Sequence, residues 1–286
     1  MRTIAYLGPE KTNTHLAALK HFGPGCKYVH QPTVEEVFSK VERREADYGV
    51  VPIENSLGGA VTHTLDRYVG FIDTSARIHG EIDLPIEHGL ITRPRTSLKK
   101  IEVVFSHPQA FEQCNSWLQK NFPTLSRSET DSTAAAVQRL LRKSVGIWST
   151  FYQINQRAAI GPKELAKEHG LEWNPIPQER ENRTRFLILG RGPLSRKRAS
   201  KTSILVILKD KPGALYDALA PFKHNDINLT KIESRPARMK AWEYVFFIDF
   251  EGHENDQNVA KVLRALKKTA KEVKVLGSYP VKKVRR

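Results

Sequence analysis

The 286-residue sequence predicts an α/β protein that ends in a ferredoxin-like βαββαβ unit, and three observations carry that expectation. Over the first 190 residues, short apolar runs of strand length alternate with stretches of helical periodicity. A polar run at 191–201, Arg-Gly-Pro-Leu-Ser-Arg-Lys-Arg-Ala-Ser-Lys, then interrupts the pattern and marks a domain boundary. Beyond it, strand 202–208, helix 214–224, strands 227–233 and 242–250, helix 256–271 and strand 273–279 follow in the order of a split βαβ sandwich.

The elements of the first part are read as follows. Residues 3–7 form a buried strand ending at Gly8-Pro9-Glu10, and a helix follows through Leu16, Leu19 and Phe22 to Gly23-Pro24-Gly25. Thr12 either caps that helix or offers its hydroxyl to an anion at the helix N-terminus. Thr33-Val34-Glu35-Glu36 is a capping box, and 48–53 is a second buried strand. Its exit, Glu54-Asn55-Ser56-Leu57-Gly58-Gly59, places a carboxylate, an amide and a hydroxyl at a strand end, where α/β sheets collect ligands; a turn needing those residues for its backbone angles explains them equally well. A helix at 61–69 and short strands between 78 and 92 come next, then strand 101–105. Ser106-His107-Pro108-Gln109 and Asp131-Ser132-Thr133 open two further helices, with Ser106 read either as a cap or as a ligand contact. Residues 143–156 fit neither strand nor helix decisively, while 158–160 is a strand leading to a helix that ends at Gly170.

The run Glu181-Asn182-Arg183-Thr184-Arg185-Phe186-Leu187-Ile188-Leu189 combines amide, hydroxyl, guanidinium and aromatic groups with an apolar stretch. If extended, it turns Asn182, Thr184 and Phe186 to one side and Arg183 and Arg185 to the other.

Composition narrows the classes. Hydrophobic residues make up 40% and charged residues 27%, and no apolar run approaches the ~18–20 residues of a membrane span. The N-terminus reaches Gly8-Pro9 before a signal-peptide core could form, so a cytoplasmic location and no membrane partner are expected. Cys26 and Cys114 offer neither disulfide density nor metal-ligand spacing, and the ten His residues lack an H-E-x-x-H array, so neither metal nor cofactor is expected. Of the net charge of +15, +11 lies from residue 192 onward, where 21 Lys and Arg meet 10 Asp and Glu. No RNA-reading aromatic motif or zinc-finger spacing accompanies it, so a solvated basic surface is expected rather than a nucleic-acid partner.

Taken together, Tyr6-Leu7-Gly8-Pro9-Glu10, Gly49-Val50-Val51-Pro52-Ile53-Glu54-Asn55-Ser56, Ser106-His107-Pro108-Gln109, Ser132-Thr133-Ala134, Ala158-Ala159-Ile160-Gly161 and Asn182-Arg183-Thr184-Arg185-Phe186 resemble the prephenate dehydratases. Gly213-Ala214-Leu215 and Glu233-Ser234-Arg235-Pro236 extend the resemblance to a C-terminal ACT regulatory domain. It implies a catalytic region at 1–190 similar to two-lobed periplasmic binding proteins, with lobe one at 1–77 and 178–190 and lobe two at 78–177. A linker at 191–201, an ACT domain at 202–280 and a basic tail at 281–286 would complete the chain. The implied activity is that of a carbon–oxygen lyase: conversion of prephenate to phenylpyruvate in phenylalanine biosynthesis, without a cofactor.

By the same resemblance Thr184 is the catalytic hydroxyl. Glu54, Asn55, Ser56, Ser106, Gln109, Ser132, Thr133, Arg185, Phe186 and Thr12 are the substrate-binding candidates. Phenylalanine would act as an allosteric inhibitor between two ACT domains, at Gly213, Ala214, Leu215, Asn228, Glu233, Ser234, Arg235 and Pro236, in a homodimer or homotetramer. Arogenate dehydration and a non-catalytic amino-acid sensor are the alternatives. One departure is evident: where the family has Gly-Thr-Phe after the first Gly-Pro-Glu, this chain has Lys11-Thr12-Asn13, and lysine disfavours the positive φ open to glycine.

Overall fold

The computed structural model describes residues 1–70, 74–142, 154–177, 181–194, 200–237 and 243–281. In chain order the first lobe runs β1 (Thr3–Leu7), α1 (Asn13–Phe22), β2 (Lys27–Gln31), α2 (Val34–Glu42), β3 (Tyr48–Asn55), β4 (Gly59–Ala60), α3 (Thr62–Gly70) and β5 (Ala76–Pro85). The second lobe comprises β6 (Gly89–Thr92), β7 (Val103–Ser106), α4 (Pro108–Gln113), α5 (Asn115–Asn121), β8 (Ser126–Glu129), α6 (Thr133–Leu141), β9 (Arg157–Gly161), α7 (Lys163–Glu168) and β10 (Glu172–Pro175). The chain then returns through β11 (Arg183–Arg191) and enters the C-terminal domain: β12 (Ser200–Ile207), α8 (Ala214–His224), β13 (Leu229–Pro236), β14 (Tyr244–Glu251), α9 (Gln257–Thr269) and β15 (Glu272–Pro280).

Each unit has its own sheet: β2-β1-β3-β11-β5 with β4 on β3, then β10-β6-β9-β7-β8, then β13-β14-β12-β15. Because β5 pairs antiparallel with β11 along nearly its whole length, it belongs to the first sheet. The chain therefore crosses between lobes after Pro85, not at the expected 77/78, since moving the crossing earlier would strip β11 of one ladder. The two crossing segments are bonded to each other, Ile86 N donating to Asn182 O (2.8 Å) and Ile176 N to His88 O (3.0 Å). The undecided stretch at 143–156 lies outside the described residues apart from a 3₁₀ turn at Ile154–Gln156, and the basic tail at 282–286 lies outside them entirely.

Local chemistry explains the helix starts. Thr12, Thr33 and Ser132 accept from the backbone N–H three residues on, satisfying a donor that the first helical turn leaves free. Ser106 does not cap α4. His107 does, its Nδ1 accepting from Gln109 N at 3.2 Å, while Ser106 is fully buried and donates to Ile160 O at 3.0 Å.

Parity along two strands decides how the domains join. On β12, Ile204 and Val206 face α8 and α9, where Phe222, Val259, Val262 and Leu266 cover them. Leu205 and Ile207 face the other way, into a core shared with Ile53, Tyr68, Leu187 and Leu189 of the first lobe. On β11, Leu187 and Leu189 join that shared core, whereas Phe186 and Ile188 pack with Ile4, Tyr6 and Ala17 under α1. The C-terminal sheet thus lies against the back of the sheet carrying β11. Contact is closest at Gly277, where a Cβ would come within 2.2 Å of Ile78 O, so only glycine fits.

Candidate active site

Side chains alternate along the start of β11 as an extended strand requires, with Thr184 and Phe186 buried and Arg183 and Arg185 partly exposed. Thr184 retains 9% exposure and pairs across the strands with Asn55 and Leu84. Asn55 ends β3, where the chain turns, and its Oδ1 accepts from Leu57 N (3.0 Å) and Gly58 N (2.8 Å). These two backbone donors fix the orientation of the amide, so Nδ2 faces β11. It donates to Thr184 Oγ1 at 2.9 Å and to Asn182 Oδ1 at 2.7 Å, with Arg183 O at 3.1 Å. The Thr184 oxygen is therefore an acceptor, and its own hydrogen has no acceptor among the described residues.

Lobe two closes the site from the other side. Gln113, at the end of α4, accepts from Asn182 Nδ2 at 3.0 Å, and its Oε1 lies 2.7 Å from His88 Nε2 in the crossing segment. Gln109 packs over the 55–59 turn, its Nε2 only 2.8 Å from where a Cβ on Gly58 would sit. A cavity of about 840 Å³ opens beside this junction, lined by Ser56, Leu57, Gln109, Gln113, Trp117 and Pro177 among others, a size suited to a small molecule. Neither Thr184 nor Asn55 is on its wall; Asn55 bonds Thr184 and connects it through Asn182 to Gln113, which is.

Phe186 is corrected, being fully buried in the core under α1, and the other expected residues divide into three groups. Asn55, Ser56 and Gln109 meet at the junction, and Ser56 clamps the start of β11 by donating to Glu181 O and accepting from Arg183 N, both at 2.9 Å. Thr12, Ser132 and Thr133 lie at helix N-termini, where Thr12 and Ser132 act as caps. Glu54 and Arg185 are corrected: they lie on the reverse side of the sheet, paired at 2.7 Å, and Glu54 also engages Lys231 of the C-terminal domain. One-residue alternation causes this, since Glu54 is Asn55's neighbour and Arg185 is Thr184's. Burial raises the Glu54 carboxyl, but the Lys231 hydrogen bond and the charges of Arg185, Lys231 and Lys201 outweigh it and hold the group below the usual range. Ser106 is also corrected, being sealed behind β9.

Gln113, Asn182 and His88 were not singled out as site residues from sequence. Asn182 shares Thr184's parity in an extended run, which was the available signal, whereas nothing local marks Gln113 or His88.

At the departure Lys11-Thr12-Asn13, Lys11 adopts φ 67° and its ammonium pairs with Glu168 on α7, tying the two lobes together. Among the described residues, no three His, Cys, Asp or Glu side chains assemble a metal site, and no helix is long and apolar enough to cross a membrane.

In the C-terminal domain Gly213 opens α8 in the left-handed region, at φ 76°. Ala214 and Leu215 form the first turn of that helix, and Glu233, Ser234, Arg235 and Pro236 end β13, an edge strand. Arg235 turns toward the first lobe and donates to Asp66 at 3.0 Å, while Asn228 accepts from Glu251 N on its backbone carbonyl at 3.0 Å and its side chain makes a long contact with Glu251, at 3.4 Å.

Comparison with known proteins decides the family. The prephenate dehydratase family model matches residues 4–193, and the ACT domain model matches residues 202–268. The chain belongs to the prephenate dehydratase family. A bifunctional chorismate mutase/prephenate dehydratase of Aquifex aeolicus is 43% identical, covering 97% of this chain and 73% of that relative. An arogenate dehydratase/prephenate dehydratase of Arabidopsis thaliana is 36% identical, covering 97% of this chain and 72% of that relative. The crystal structure of prephenate dehydratase from Arthrobacter aurescens in complex with L-Phe superposes with a TM-score of 0.86 at 33% identity, covering 98% of this chain and 90% of that one. Like other members of the prephenate dehydratase family, the chain joins a two-lobed α/β region to an ACT domain.

Proposed function

We propose that the family's reaction runs at the lobe junction and that Thr184 assists it as a hydrogen-bond donor. Prephenate takes up one proton and yields phenylpyruvate, carbon dioxide and water. The ring carboxylate leaves as carbon dioxide, its bonding electrons move into the ring, and the ring hydroxyl departs as the ring becomes aromatic. The difficult part is the departing oxygen, on which negative charge builds. A hydroxyl that accepts from Asn55 and keeps its own hydrogen unspent is suited to that oxygen, and this single observation carries the reading. Cooperative polarisation by the Asn55 donor strengthens the hydroxyl as a donor.

The substrate's two carboxylates call for different treatment. The pyruvyl carboxylate gains from firm anchoring by neutral groups, and Gln109, Ser132 and Thr133 supply an amide and two hydroxyls, with the helix N-termini behind Thr12 and Ser132 adding backbone donors. A tight ion pair to the departing carboxylate would hold the ground state and slow its loss. The position of Arg185, turned from Thr184 and matched by Glu54 and Glu81, agrees with that requirement.

Regulation by phenylalanine at the ACT domain of a homodimer or homotetramer completes the proposal. The edge strand β13 leaves Ile232 exposed, and Tyr216 and Tyr244 are exposed as well, an apolar set suited to a second copy. A ligand held there acts only through its unequal affinity for two subunit arrangements.

The test is phenylpyruvate formation by the purified chain supplied with prephenate, repeated with arogenate and with added phenylalanine. Turnover of prephenate, depressed by phenylalanine, is expected. Faster turnover of arogenate would reassign the substrate, and absence of turnover with retained phenylalanine binding would make the chain a sensor.

A further inference from the structure

The hydrogen bonds around Thr184 form one continuous chain whose polarity can be worked out without assuming any proton position. It begins at the backbone. Leu57 and Gly58 donate to Asn55 Oδ1, so Asn55 Nδ2 must be the donor toward Asn182. Asn182 then presents Oδ1 to Asn55 and has only Nδ2 left for Gln113, which must receive it on Oε1. That same Oε1 lies 2.7 Å from His88 Nε2, so the imidazole has to donate from Nε2. Each group's orientation is dictated by the previous one, and His88 is the far end.

His88 is suited to holding that end. It lies in the crossing segment between the lobes, 4% exposed, and its backbone carbonyl accepts from Ile176 N of the return crossing. Its Nδ1 has no partner among the described residues, and burial lowers its pKa despite the Gln113 contact, so the ring is neutral with its single hydrogen on Nε2. With Oε1 of Gln113 occupied twice, the Gln113 Nε2 group is left over on a residue that lines the cavity.

We infer that His88 is a positioning residue for the reaction: its Nε2–H is the second donor on Gln113 Oε1 and holds that amide with its NH₂ toward the cavity and its oxygen on Asn182, at the lobe-two end of the amide chain that leads through Asn55 to Thr184. Without that donor Gln113 Oε1 is held by Asn182 alone, and the amide is free to swing out of the register that ties α4 to the Asn182-Asn55-Thr184 chain, while Asn55 itself stays oriented by Leu57 and Gly58. The relay spans both lobes, so it also registers Thr184 against the half of the cleft contributed by α4. This inference rests on the dehydratase reading proposed above.

Two measurements test it. In ¹⁵N NMR of the ¹⁵N-histidine-labelled native protein, the His88 ring is expected as the neutral Nε2–H tautomer at neutral pH; an Nδ1–H tautomer or a charged ring would overturn the inference, whatever reaction the protein performs. For turnover, His88→Leu removes the donor and His88→Gln restores an N–H at comparable reach. His88→Leu is expected to lower kcat with prephenate on the order of 10- to 100-fold with little change in KM, as small misplacements of a reacting group do, and His88→Gln to recover most of it. If both variants lose kcat equally while remaining folded, or if neither loses any, the positioning role is wrong. Should His88→Leu fail to fold, Asn182→Asp, which sets an acceptor against Gln113 Oε1, is expected to cost kcat while His88→Gln does not, and native kcat in Asn182→Asp would overturn the relay. Failure of the native protein to make phenylpyruvate would count against the dehydratase reading alone, because the tautomer measurement stands apart from turnover.

Discussion

On one face of β11, Thr184 accepts from Asn55, the end of a chain of uncharged amides that runs through Asn182 to Gln113 of the second lobe, whereas on the other Arg185 sits among charged side chains from two domains. There Lys201 Nζ lies 2.6 Å from Glu81 and 3.4 Å from Asp249, Tyr279 donates to Glu81 at 3.0 Å, and Ser203 donates to Asp249 at 2.6 Å. The difference follows from what each face must do. An amide chain can define the direction of every hydrogen without adding net charge near a substrate carboxylate that has to leave. A domain interface has no such restriction, and opposite charges that satisfy one another can fix how two sheets sit together.

The sharpest way to break the comparison is at Thr184. Thr184→Ala is expected to lower kcat about 100- to 1,000-fold, the range seen when one donor to developing charge is deleted, with little change in melting temperature; Thr184→Ser should keep much more activity. On the opposite face the expectation inverts. Lys201 is 7% exposed between two carboxylates, and Lys201→Ala should cost about 3–5 kcal/mol of stability in urea unfolding by leaving those carboxylates unpaired, while unregulated kcat near neutral pH changes far less. Should the order reverse, with Lys201→Ala removing turnover and Thr184→Ala only stability, the division of labour between the faces would be refuted.

Acid separates the faces further. The Glu54 carboxyl is held below its usual 4.5, so its contribution to stability is complete above that value and is lost as pH falls through the lower folded-state pKa. Glu54→Gln should flatten that part of the acid unfolding curve, and an unchanged curve would show that the charged face adds no pH dependence there. The smallest effect is expected at the Lys11–Glu168 pair between the lobes. Lys11→Gly relieves a left-handed backbone costing roughly 1–2 kcal/mol and removes a half-exposed ion pair with Glu168 worth about 0–1 kcal/mol. Melting curves should therefore shift toward greater stability by about 0–2 kcal/mol.

Much of this was legible in the residues because it depends on parity and capping. The two faces of Asn182-Arg183-Thr184-Arg185-Phe186, the caps at Thr12, Thr33 and Ser132, and the βαββαβ order all follow from local rules. The strands β2 and β8 did not announce themselves. Lys27-Tyr28-Val29-His30-Gln31 and Ser126-Arg127-Ser128-Glu129 are edge strands whose pairing partner, not their own apolar pattern, makes them extended. Glu54 and Arg185 belong to the motifs that carry the resemblance, yet each is the strand neighbour of Asn55 or Thr184 and points to the opposite face. Gln113 and His88 lie 71 and 96 positions from Thr184, and only the crossing of the lobes brings them near, so no spacing rule could have found them.

At Gly277 the small domain touches the large one backbone to backbone, with no side chain between them to absorb a shift. The strand it presses, β5, is laddered to β11 for nine residues on that edge, from Ala76 opposite Arg191 to Pro85 opposite Arg183. A rotation of the ACT sheet is thus geared to the strand that carries Thr184, with little more than one row of peptide hydrogen bonds between them.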